Sequence, residues 1–226
     1  MYFRRVRHLD CPQWMQQQIL DEIDAGILIS TGMSDRALDV PKEKLMAAYQ
    51  HVPGAAAYID KIYGTTDLTG WEASKELTAK IYQHYDSFLS MVPDQPKIII
   101  KRIISERDTF WTHCGRAQLS SLTCVIRTEH LAVTQWYEPK PEFAAKYRAA
   151  DSVKYNNRLG GNLLPSHSQF ITSICLQPWE MIFFDHNSYH SVEHFKPGME
   201  RILFSIGFLN TTETELEDIY DRWSTI

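Results

Sequence analysis

PWEMIFFDHNSYHSV, Pro178–Val192, is the stretch that decides how the second half of this chain folds. Pro178 and Trp179 mark a turn, and MIFF is an apolar run suited to a buried strand. Asp185 to Ser188 makes a polar turn, after which His190 opens the next strand. Eleven residues beyond His190 stands Arg201, at the head of a run in which Ile202, Phe204, Ile206 and Phe208 alternate with Leu203, Ser205 and Gly207. That period of two is a strand with two distinct faces, and it places Arg201, Leu203, Ser205 and Gly207 together on one of them. An arginine leading into a buried strand is expensive unless its guanidinium meets an anion, and a small dicarboxylate would supply one.

Further strands are predicted at Lys97 to Ile104, Leu119 to Arg127, Ala132 to Tyr137, Ile171 to Leu176 and Met181 to Phe184. Many short strands separated by turn signals predict a sandwich or barrel. FWTHCGRAQLSSLTCVI, Phe110–Ile126, sets His113 in a polar turn just ahead of one of these strands. Imidazoles from two strand mouths, His113 and His190, can meet at one divalent first-row metal. The segment Glu138 to Ser168 breaks the strand rhythm and holds EFAAKYRAAD and the Asn/Gly/Pro-rich KYNNRLGGNLLPSHS. It reads as an inserted loop of the kind that lines binding sites, with Asn156, Asn157 and Arg158 as its polar substrate candidates and His130 and His167 at loop ends.

The first half reads as helical. Asp10 is placed to cap a helix with Pro12 in its first turn and Met15, Ile19 and Ile23 on one face, and Gly26 ends it. Short helices follow Pro41 and Ala55, and a longer one covers roughly Glu72 to Met91 before Pro93 and Pro96. One domain over 1–226 is expected: helical support over 1–96, a β core over 97–210 carrying the 138–168 insert, and a C-terminal helix over 211–226. The fold class is α+β with a mainly β core.

With 23 Lys and Arg against 28 Asp and Glu, the formal charge is −5, which disfavours nucleic acid and anionic lipid as partners. Arg4, Arg5 and Arg7 read as a solvated strand edge. The cysteines, Cys11, Cys114, Cys124 and Cys175, form no CxxC pair, and Cys124 and Cys175 read as small buried hydrophobes. No apolar leader or membrane-length stretch is present, so a cytoplasmic location is expected.

His113, the FD–turn–His190 segment, Arg201 and TQWYE (Thr134–Glu138) together resemble the double-stranded β-helix (jelly-roll) oxygenases that use Fe(II) and 2-oxoglutarate. The resemblance covers about Lys97 to Phe208. It implies that His113 and His190 bind iron and that Arg201 holds the far carboxylate of 2-oxoglutarate. Ser205 and Tyr137 are then candidates to contact the same cosubstrate. The partner is a small molecule or an amino-acid or peptide side chain, which is hydroxylated. One position departs from the family pattern: where Asp or Glu usually follows the first histidine by two residues, this chain has Gly115. Fe/2-oxoglutarate halogenases resemble it there, with chloride in the vacancy, and so do aspartyl/asparaginyl β-hydroxylases, with water. A carboxylate from elsewhere, such as Asp108 or Asp185, is a further way to complete the site. A degenerate site in a non-catalytic β-barrel binding module is another reading. His186 and His194 flank His190 and are expected to be solvent-exposed or to support it from behind.

Overall fold

The computed structural model describes residues 2–26, 29–30, 42–51, 55–62, 66–105, 119–128, 132–145, 147, 163–193 and 198–225. In chain order its elements are β1 (Phe3–Arg5), α1 (Gln13–Asp24), β2 (Ile29–Ser30), α2 (Lys42–Tyr49), α3 (Ala55–Ile62), β3 (Thr66–Glu72), α4 (Lys75–Leu89), β4 (Lys97–Ser105), β5 (Ser120–Thr128), β6 (Val133–Pro139), β7 (Ser168–Cys175), β8 (Ile182–Asp185), β9 (Tyr189–Glu193), β10 (Glu200–Phe208) and α5 (Glu213–Trp223). Among the described residues no helix is long and apolar enough to cross a membrane.

The strands form a seven-stranded sheet, ordered β1-β8-β5-β10-β4-β3-β2, and a three-stranded sheet, ordered β7-β6-β9. Neighbouring strands pair antiparallel throughout. From β5 onward the chain passes to the small sheet for β6 and β7, back for β8, over again for β9 and back for β10. That repeated crossing between two antiparallel sheets winds a double-stranded β-helix, the expected jelly roll.

The alternation in β10 has the predicted consequence. Ile202, Phe204, Ile206 and Phe208 join one apolar cluster with Met15 and Ile19 of α1, Leu77, Ile81 and Phe88 of α4, and Leu216 of α5. Leu203, on the opposite face, packs with Val125, Trp136 and Ile182 between the sheets. The helices thus cover the outer face of the large sheet and leave its inner face to the small one.

Helix ends follow local chemistry. Ser74 caps α4, its hydroxyl accepting from Leu77 N at 3.1 Å. Thr212 and Glu215 form a reciprocal capping box at the start of α5. Asp10 does not cap α1: Pro12 occupies that position, and the Asp10 carbonyl instead accepts from Tyr85 Oη at 2.8 Å. Gly26, just past α1, takes φ +65°, the left-handed conformation glycine adopts without strain. The strand β3 was not anticipated. Of the N-terminal arginines, Arg4 and Arg5 lie on the edge strand β1, bound to Asp221 and Glu180, while Arg7 lies in the bend beyond it. Cys11 and Cys124 are buried free thiols, and Cys175 is half-buried.

Candidate active site

Residues directly opposite one another on neighbouring strands share a face. Leu203 pairs with Lys101 on β4 and Val125 on β5, and Ser205 pairs with Ile99 and Thr123. The inner face of the large sheet therefore presents Ile99, Lys101 and Ile103 from β4, Arg201, Leu203 and Ser205 from β10, and Ser121, Thr123 and Val125 from β5. None of these is an acid. The acid at the head of β10, Glu200, lies on the other face, where it meets Arg102 at 2.6 Å and Arg127 at 3.6 Å.

On the small sheet, His190 pairs with Trp136 on β6. Trp136 is fully buried in the inter-sheet cluster, so His190 faces inward beside it. The imidazole is 6% exposed, and its ring lies edge-on to Phe184, with centroids 4.8 Å apart. His190 Nδ1 sits 2.8 Å from the Ser188 carbonyl. A carbonyl can only accept, so the proton is on Nδ1 and the basic lone pair is on Nε2. That is the tautomer a metal-binding imidazole needs, fixed by the backbone of its own turn.

Arg201 is 3% exposed, and burial pushes its guanidinium down to about 10. The physical cause is loss of water around a cation, partly offset by Cys175. A bulge on β5, where the register with β10 shifts between Ile202 and Leu203, lies one residue from Arg201. Bulges re-aim side chains in this way beside active sites. Ser205, 3% exposed, lies 2.6 Å from the Thr123 hydroxyl. The parity reading that joined it to Arg201 holds. Trp136 Nε1 is buried without an acceptor among the described residues, a donor whose desolvation a bound ligand would relieve. An imidazole with a basic Nε2, a buried guanidinium and an unmatched N–H fit a metal chelated by an anionic ligand.

Two expectations are corrected. Tyr137 follows Trp136 on β6 and points to the opposite face, where its hydroxyl donates to Gln135 and its ring meets Phe170 at 6.1 Å. It therefore does not share the interior with Arg201. Asp185 also faces away from the interior: its carboxylate accepts from Asn187 N at 2.8 Å and from the Ser188 hydroxyl, ordering the turn that carries His190. A cavity of about 470 Å³ opens behind this turn, with Tyr137, Asp185 and Glu213 in its wall.

His186 was not counted among the site residues, yet it belongs near them. It is half-buried, its Nε2 lies 2.9 Å from the Ser121 hydroxyl, and its ring centroid is 6.1 Å from that of His190. Parity offered the clue, because Ile182, Phe184 and His186 are alternate residues. His167 is buried elsewhere, stacked on Phe143 at 3.9 Å. His113, Gly115, Asn156, Asn157 and Arg158, with Asp108, His130 and His194, lie outside the described residues. Among the described residues no three His, Cys, Asp or Glu side chains gather to hold a metal.

No family model and no curated protein matches the sequence. Solved structures do. A prolyl hydroxylase from Trichoplax adhaerens, in complex with a hypoxia inducible factor oxygen degradation domain peptide, is 12% identical at a TM-score of 0.46, covering 95% of this chain and 86% of its own. HygX from Streptomyces hygroscopicus, with nickel, 2-oxoglutarate and hygromycin B bound, is 9% identical at 0.45, covering 93% and 84%. The non-heme alpha ketoglutarate dependent epimerase SnoN from nogalamycin biosynthesis is 9% identical at 0.37, covering 74% and 82%.

Proposed function

We propose that the protein is an Fe(II)- and 2-oxoglutarate-dependent oxygenase that hydroxylates a small molecule or an amino-acid or peptide side chain. The observation that carries this reading is the pair His190 and Arg201: an imidazole with its lone pair on Nε2 and a buried guanidinium, on inward faces of the two sheets. His190 and His113 would hold the metal, and Arg201 would hold the far carboxylate of the cosubstrate. Bound iron(II) would bring together oxygen, the oxidant, and 2-oxoglutarate, whose decarboxylation to succinate and carbon dioxide would supply the two electrons that balance hydroxylation of the substrate. The chain's own part is to fix the imidazole through the Ser188 carbonyl, to orient the cosubstrate by its distal charge and to keep water out between the sheets. Asn156, Asn157 and Arg158 of the insert would meet the substrate.

Gly115 leaves a metal position without a protein ligand. Hydroxylation with water there is the main reading, and halogenation with chloride is its alternative. The experiment is succinate formation from 2-oxoglutarate with and without iron, in wild type and in His113→Ala and His190→Ala. Both substitutions abolish the iron-dependent component; unchanged turnover in either contradicts the assignment. A chlorinated product that appears only with chloride would select the halogenase, and Gly115→Asp would then suppress it.

A further inference from the structure

Among the described residues of β4, β5 and β10, Lys101 is the inner-face charge that the proposed chemistry leaves unused. It stands between Ile99 and Ile103 on β4, and Ile103 packs with Ala132, Val192 and Leu203 between the sheets. Its register partners are Leu203 on β10 and Gly70 on β3. Arg201 pairs with Ile103 and Ser205 with Ile99, so Lys101 is the diagonal neighbour of both. Diagonal neighbours lie about 7–8 Å apart, within reach of long side chains. The residue is half-buried, and burial pushes its ammonium down from the ordinary lysine value. Its ammonium makes no hydrogen bond or ion pair with any described residue.

A cation held there without an acid costs stability, and a leucine or methionine would fill the same place more cheaply. Neighbouring groups show what such a position lacks: on the outer face of the same strand, Arg102 has Glu200 at 2.6 Å. The hydroxyls beside Lys101 are also arranged for a charged guest. Thr123 Oγ1 donates to the Phe204 carbonyl at 2.8 Å, so the proton in its 2.6 Å contact with Ser205 comes from Ser205. Ser205 therefore offers lone pairs to the interior, which suits an ammonium better than a carboxylate.

We propose that Lys101 is a second cation of the cosubstrate pocket, so that the distal carboxylate is held between Arg201 and Lys101, with Ser205 steadying the ammonium. The inference rests on the 2-oxoglutarate reading and adds a residue from a different strand to it. It also predicts selectivity: the pocket discriminates by charge at the far end of the 2-oxoacid.

The test is calorimetric titration of the manganese(II)-loaded protein with 2-oxoglutarate and with 2-oxovalerate, which has the same chain length and lacks the distal carboxylate. Lys101→Met weakens 2-oxoglutarate at least tenfold and leaves 2-oxovalerate within about twofold, while Lys101→Arg retains most of the affinity. Lys101→Met also melts at or above the wild-type temperature, because a buried cation without an acid has been removed. Equal 2-oxoglutarate affinity in wild type and Lys101→Met, an equal loss for both oxoacids, or melting several degrees lower each overturns the role of Lys101 and leaves the oxygenase reading standing. If wild type takes up neither oxoacid, that reading fails first. Glutarate without metal then decides the pocket: uptake lost in Lys101→Met keeps the paired cations as a dicarboxylate site, and no difference between the two proteins ends the proposal.

Discussion

The two faces of the seven-stranded sheet are built to different rules. On the outer face the strands present isoleucine, leucine and phenylalanine to α1, α4 and α5, and Arg102 and Arg127 at its margin both pair with Glu200. On the inner face cations, hydroxyls and a facing imidazole are set among isoleucine, leucine, valine and tryptophan. The outer face minimises free energy by burying apolar area, about 1.5–3 kcal/mol for each large side chain fully removed from water. The inner face accepts desolvated polar groups that a stability-driven core would replace. A face that carries such a cost is where a ligand is expected.

This contrast can be broken by substitution. The largest effect is expected on the inner side: Arg201→Leu abolishes 2-oxoglutarate uptake in titration while the protein still unfolds in one cooperative transition. A variant that melts far lower and still binds would make Arg201 a structural residue. Its neighbour on the outer side behaves in the opposite way. Phe204, fully buried against the helices, should cost about 3–5 kcal/mol in urea unfolding when cut to alanine, with cosubstrate affinity per folded molecule unchanged. Ser205→Ala, one residue further along, should weaken 2-oxoglutarate by less than tenfold, because its proton is already given to Thr123.

The smallest expected difference concerns an acid on the helix side. Burial, with the Glu217 carboxyl beside it, pushes Glu213 at the start of α5 up to about 8. The unfolded chain releases that proton near the ordinary glutamate value of 4.5. Between these two values the folded state binds the extra proton, so this contribution to stability is complete below pH about 4.5 and is lost as pH rises towards 8. Glu213→Gln should flatten the fall in melting temperature across that window. An unchanged slope would place the titration in another group.

Much of this contrast was legible in the chain. The alternation of β10 assigned its two faces, and the same parity joined Ser205 to Arg201. Strands β4 to β8, helix α4 and the last helix appeared close to their predicted limits, because long periodic runs bounded by Pro, Gly and polar turns carry their own signal. What failed had no local signal. The strand β3, TDLTGWE, contains a glycine and two acids and does not alternate; its hydrogen bonds come from β4, thirty residues later. TQWY sets aromatic residues at both Trp136 and Tyr137, so hydrophobicity does not say which faces inward, and the pairing with His190 decides for Trp136. Of the two places expected for His186, exposed or supporting His190, its parity one step beyond Phe184 favours the second. Lys101 takes its place as a diagonal neighbour of Arg201 and Ser205 only when β10 is laid beside its strand.

The central claim is that the interior between the sheets chelates iron through histidine and anchors a 2-oxoacid through paired cations. Anaerobic addition of iron(II) and then 2-oxoglutarate to the purified protein tests it most directly. The account predicts a weak visible absorption band that needs both additions, saturates with 2-oxoglutarate and is absent in His190→Ala and in Arg201→Leu. A spectrum that stays flat, or a band that persists in both variants, would contradict it.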